Sequence, residues 1–262
     1  MTRSESSQTA VFDSWLDALQ ARHLADLTFA EVSRALRALS ATYVERRDRL
    51  RGGAALAGAG KRAAFALFYG PLHFLIVREI VRSIPGADAG GSTLVDVGCG
   101  TGAGGAAWAA ACRRRPRVLA VDVHPWAVSE AIRTYRAFGL ASRVHRGDIA
   151  TVAWPRPPAL VIAAFAVNEL DDRARDAVRE RLLERASAGD TVLVVEPLAG
   201  FVAPWWGAWS DAFRQAGGRS DEWRFPASLP PVVAKLDRAA GLDHRELTAR
   251  SLWLPGRSGS RD

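Results

Sequence analysis

Thr93-Leu94-Val95-Asp96-Val97-Gly98-Cys99-Gly100-Thr101-Gly102-Ala103-Gly104 is the stretch on which the fold turns. Its apolar start (Leu94, Val95, Val97) predicts a buried strand, and the run Ala106–Cys112 predicts a helix after it. Between them Gly98, Gly100, Gly102 and Gly104 form a turn with no Cβ to keep the backbone from a ligand. The start of the next helix adds free N–H groups. Asp96 ends the strand, at the edge where open α/β sheets bind their ligands.

A glycine-rich turn also suits dinucleotide dehydrogenases, whose glycines bring a helix N-terminus to a pyrophosphate. Here a carboxylate points into the mouth of the turn, where it would repel a pyrophosphate but suit an ammonium or sulfonium centre. The pattern D-x-G-x-G-x-G resembles the first motif of the class I S-adenosylmethionine-dependent methyltransferases. That resemblance implies an α/β, Rossmann-like, mostly parallel seven-stranded sheet with S-adenosylmethionine as cofactor. It places Asp96, Gly98, Cys99, Gly100, Thr101 and Gly102 around the methionine end of that cofactor.

Strand and helix patterns alternate from Thr93 onward, as in a parallel sheet. Val118–Asp122 is a second strand ending in an acid, and Asp122 follows Gly98 by about the 20 residues at which a carboxylate holds ribose hydroxyls. Asp122 can instead cap the helix that begins near Pro125. Val123 and His124 come next and can flank an adenine, although His124 also reads as an ordinary loop histidine. After a third strand, Asp148 and Ile149 match the acid and apolar pair that meets the adenine in the resembled family, or else form a surface turn. The fourth strand, Leu160–Phe165, leads to Asn168 and Glu169, which the resemblance makes the polar candidates beside the methyl acceptor. Asp171 or Asp172 caps the helix Arg173–Ala186, and Thr191–Glu196 is the fifth strand.

Residues 10–85 read as helices. Thr28 and Glu31 have the spacing of a capping box, and Gly70-Pro71 predicts a break between Lys61–Tyr69 and Leu72–Ile84. The expected organisation is a helical region over 1–90, a cofactor-binding domain over 91–255 and a tail over 256–262, with Met1–Ala10 also expected to fray. An aromatic-rich insertion is expected over 197–228. There Trp205, Trp209 and Phe213 are spaced as one helical face, by default core and otherwise a wall of the acceptor site. His244–Thr248 with Ser251–Leu254 suggests a closing hairpin.

Hydrophobic residues make up 48% of the 262 positions, enough for a real core. The net charge of +7 is spread along the chain apart from two clusters, Arg46–Arg51 and Arg113–Arg117. Either cluster can touch phosphate or simply be solvated. Two cysteines, no signal-like segment and no apolar run expected to span a bilayer point to the cytoplasm, with no metal site and no membrane partner. Ala41-Thr42-Tyr43, Ala166–Leu170 and Val194–Gly200 further resemble methyltransferase-like proteins associated with the small ribosomal subunit, but the cysteine cluster of that family is absent from 197–250. The expectation is methyl transfer to an RNA, including one in a ribosomal context with the small subunit as partner, or to a small molecule. The alternative is a ribosome assembly factor that binds the cofactor and transfers nothing.

Overall fold

Short β-branched runs separated by helices fold here as one sheet with helices on both faces. The computed structural model describes residues 3–45, 56–198 and 203–256. The strands are β1 (Thr93–Val97), β2 (Arg117–Asp122), β3 (Ser142–Arg146), β4 (Leu160–Ala164), β5 (Thr191–Glu196), β6 (Arg219–Pro226) and β7 (Glu246–Leu254). They form a seven-stranded sheet in the order β3-β2-β1-β4-β5-β7-β6. The pairs among β1 to β5 are parallel, whereas β7 runs antiparallel to both β5 and β6.

Alternation along the strands assigns each side chain to a face. Leu94, Val118 and Ile162 pack into a core shared with α5 (Ala103–Ala111) and α6 (Pro125–Ala137). Val95, Val97 and Val161 face the other side, against α7 (Asp172–Ser187) and α8 (Trp206–Gln215). Asp171 is the residue that caps α7, accepting from the Ala174 N–H.

The N-terminal helices join the first of these cores. They are α1 (Arg3–His23), α2 (Phe29–Glu45), α3 (Ala59–Ala64) and α4 (Gly70–Ser83), and Trp15, Leu36, Phe68 and Val77 pack with Leu94 and Trp108. Thr28 and Glu31 make the expected capping box at α2. Gly70-Pro71 does not divide the chain as its sequence predicts. A π turn, Phe65–Tyr69, joins α3 to α4, and the Gly70 N–H donates to the Phe65 carbonyl. The wider turn accommodates the missing N–H and the ring of Pro71, so the helix runs unbroken over Ala59–Ser83. That helix is long and apolar enough to cross a membrane, contrary to the sequence expectation, but 72% of its most apolar window is buried within the fold.

Three further expectations are corrected. Residues 3–10 continue α1 rather than fray. Within the expected insertion, residues 206–226 are part of the common fold, because α8 and β6 belong to the sheet and its helical layers. His244–Thr248 and Ser251–Leu254 do not form a hairpin with each other: Glu246–Leu254 is a single strand, preceded by α9 (Pro231–Ala239) and paired with β5 and β6. The Arg46–Arg51 cluster, Gly52-Gly53, Ala199–Val202 and the tail from Arg257 lie outside the described residues. Arg113 and Arg115 sit before β2, away from the ligand-facing edge, where Arg113 pairs with Asp88 and Arg115 bonds the Phe138 carbonyl.

Candidate functional site

The carboxyl ends of β1, β2, β3 and β4 open into one cavity of about 540 Å³. That volume lies within the range of small-molecule sites. Its floor is the glycine turn after β1. Gly98, Gly100 and Gly102 have φ of 68°, 51° and 77°, a region L side chains rarely adopt. A Cβ on Gly98 would lie 2.5 Å from the Ala166 Cβ, whereas one on Gly100 would project towards the Phe65 ring at 3.9 Å. Only glycine leaves this floor bare.

Asp96 lines the cavity, and one of its carboxylate oxygens is held from behind. Period-two alternation puts it on the same face as Leu94, beneath α5. There its Oδ2 accepts from the Gly105 N–H at 3.0 Å and the Tyr135 hydroxyl at 2.7 Å. Burial outweighs these donors and pushes the Asp96 carboxyl up to about 7. Tyr135 is a supporting residue the sequence reading missed, because nothing local links it to Asp96.

Asp122 stands at the end of β2 and braces the turn. Its Oδ2 accepts from the Gly100 N–H at 2.9 Å and its Oδ1 from the His124 N–H at 2.8 Å. Each carboxylate oxygen retains a second lone pair for a hydroxyl. Asp122 does not cap α6. His124 does, its Nδ1 accepting from the Trp126 N–H at 3.2 Å. Val123, His124 and Asp148 all border the cavity, and buried Ile149 adds an apolar surface. Arg181 of α7 fastens this last turn from behind. It donates to the carbonyls of Ile149, Ala150 and Val152 and lies 4.0 Å over the Trp154 ring.

The two candidates after β4 separate. Glu169 opens onto the cavity, where the surrounding walls desolvate its carboxyl and the Asp122 charge opposes ionisation, raising it to about 7. Asn168 does not line the cavity. Its Nδ2 donates to Glu196 at 2.6 Å, and its Oδ1 accepts from the Trp205 indole at 3.0 Å. Glu196 also accepts from the Val167 N–H, and burial raises its carboxyl to about 8. Asn168, Glu196 and Trp205 therefore form the scaffold that shapes the Glu169 turn. Trp206, Trp209 and Phe213 pack beneath the opposite face of the sheet, so the aromatic wall suggested by their spacing lies elsewhere.

That wall comes from residues the sequence reading passed over. Phe65 and His73, from the N-terminal helices, line the cavity together with Phe165, the residue after β4. Arg146 borders its β3 end.

Residues 94–187 match the family model described as a methyltransferase domain. Over that stretch the chain is similar to methyltransferase domains. A mitomycin 7-O-methyltransferase is similar at 16% identity and a TM-score of 0.52, over 92% of this chain and 72% of that chain, a likeness of fold. The N-methyltransferase NodS from Bradyrhizobium japonicum, in complex with S-adenosylhomocysteine, is 14% identical with a TM-score of 0.47, over 69% of this chain and 87% of its own. No curated protein matches the chain. The cavity's lining suits a ligand such as S-adenosylmethionine: a bare glycine floor, a carboxylate with hydroxyl-accepting capacity and an apolar surface follow one another along the sheet edge.

Proposed function

We propose that this protein is a methyltransferase that moves the methyl group of S-adenosylmethionine onto a small-molecule nucleophile held at the β4 end of the cavity. The observation that carries the acceptor class is the wall there. Phe65, His73 and Phe165 present rings, and the one arginine among the described lining residues, Arg146, lies at the far β3 end. A nucleic-acid strand requires a basic track, which the described residues at this end do not offer.

In this reading the turn Gly98–Gly102, braced by Asp96, holds the methionine end, Asp122 the ribose, and Asp148 with Ile149 the adenine. The bound cofactor supplies a methyl group already activated on a sulfonium. The protein's part is alignment and the exclusion of water. A lone pair of the acceptor forms the new bond to the methyl carbon while the carbon–sulfur pair stays with sulfur. Glu169 takes the acceptor's proton, a task suited to a carboxyl raised to about 7.

The net charge of +7 favours a second reading, an RNA acceptor. Tritiated-methyl S-adenosylmethionine incubated with cell extract, then separated into RNA, protein and small molecules, decides between them, with Asp122→Ala as the blank. Label in the small-molecule fraction that the variant fails to produce is the expected result. Label in RNA overturns the acceptor class. Cofactor binding with no label in any fraction favours a cofactor-binding assembly factor.

A further inference from the structure

One wall of the cavity takes no part in holding the cofactor in the reading above. Phe165 stands in it with φ 58°, the one positive value among the described non-glycine residues. For an L residue this costs about 1–2 kcal/mol and persists only where its surroundings over-determine it. What surrounds Phe165 is specific. Its N–H donates to the Val195 carbonyl at 2.7 Å. Its ring stacks on the His73 imidazole with centroids 3.9 Å apart and planes 13° apart. Phe65 meets the same imidazole edge-on, at 6.0 Å and 85°. The backbone strain and the helix Ala59–Ser83 together deliver a stacked pair to the cavity.

Sheet order locates that pair relative to the cofactor. Adjacent strands lie about 4.8 Å apart, and the order β3-β2-β1-β4 lines up adenine, ribose and methionine positions before reaching β4. The next position along the edge is therefore the Phe165–His73 stack, beyond the sulfonium. Among the described residues the His73 ring nitrogens have no hydrogen-bond partner, although His73 lines the cavity. Burial lowers His73 to about 3, so the imidazole stays neutral and does not repel a cationic cofactor. A neutral imidazole has one nitrogen able to accept a hydrogen bond.

We infer that the Phe165–His73 stack is the acceptor subsite, built for a planar, uncharged ring carrying an O–H or N–H nucleophile, with His73 accepting a hydrogen bond from that group. This rests on the proposed methyl transfer to a small molecule. His73 orients the nucleophile and Glu169 removes its proton, so no further reactant is required.

The test starts from the cofactor, whose methyl is the landmark. Protein saturated with S-adenosylmethionine carrying a carbon-13 methyl should show magnetisation transfer from that methyl to the ring protons of His73 or Phe165. His73→Phe, which keeps the stack and removes the nitrogens, should bind the cofactor within a factor of about two and transfer label about tenfold more slowly, the scale of one hydrogen bond. His73→Asn or His73→Gln, each restoring an acceptor atom at one nitrogen position, should recover part of that loss. A bound cofactor whose methyl reports only on other residues overturns the subsite, as does His73→Phe acting at the wild-type rate. A protein that binds no cofactor at all overturns the methyltransferase reading and the subsite together, an outcome distinct from either of these.

Discussion

Replacing Gly98 by Ala tests the glycine floor in numbers. Its φ of 68° lies where an L residue loses about 1–2 kcal/mol. The new Cβ would also stand 2.5 Å from the Ala166 Cβ, a distance at which one of the two segments must move. Overpacking of this kind costs a further ~1–3 kcal/mol. The expected loss is therefore about 2–5 kcal/mol, read as a lower urea midpoint with an unchanged m-value. Because Ala166 leads into the Glu169 turn, the shift should also weaken cofactor binding in calorimetry. A double-mutant cycle separates the two causes. Ala166→Gly alone should cost about 0.5–1 kcal/mol, yet added to Gly98→Ala it should return the contact part while leaving the φ part. If Gly98→Ala changes stability by less than about 0.5 kcal/mol, or if the two substitutions are strictly additive, this account of the turn is wrong.

Tyr135→Phe removes a buried donor from Asp96. It should cost about 1–3 kcal/mol in thermal or urea unfolding and push the Asp96 carboxyl higher still. Asp96 and Glu196 are raised to about 7 and about 8, so the folded state binds their protons more tightly than the unfolded chain. Their contribution is complete below their unfolded pKa near 4 and is lost as pH rises through 7 to 8. The cofactor-free protein should accordingly unfold at lower urea at pH 8.5 than at pH 5.5, and Glu196→Gln should flatten that slope. Arg181→Ala releases the carbonyls of Ile149, Ala150 and Val152. It should weaken S-adenosylmethionine binding several-fold in calorimetry, and Arg181→Lys should rescue it poorly because a single ammonium cannot fork between the carbonyls.

Patterns local in sequence were legible in advance. The strand–glycine–helix unit at 93–112, the acid closing β2 and the apolar fourth strand each declare themselves within a dozen residues. What escaped depends on contacts distant along the chain. Nothing near Asp96 in sequence reveals that Tyr135, 39 residues on, holds one of its oxygens. Asn168 looks catalytic until Glu196 and Trp205 take its amide. The tryptophan face at 205–213 is written clearly as a helix, but a stripe does not say which side of the sheet it packs on. Gly70-Pro71 reads as a break because the π turn that accommodates it here leaves no residue signature of its own. His73 and Phe165 could be linked only through the positive φ at Phe165, which an aromatic residue does not advertise.

The unbroken helix over Ala59–Ser83 divides responsibility along the chain. Every group assigned to the methyl donor follows residue 93, whereas Phe65 and His73 come from before it. Under the proposed acceptor subsite, substitutions on one face of this helix retune what is accepted without disturbing the groups assigned to the donor. That freedom has a boundary. The same helix buries Leu67, Phe68 and Val77 in the core that also holds Leu94 and Trp108, so the first ninety residues are not a removable module. A chain cut there would expose the core as well as lose its selectivity, and only point changes at the cavity-facing positions leave the two properties separable.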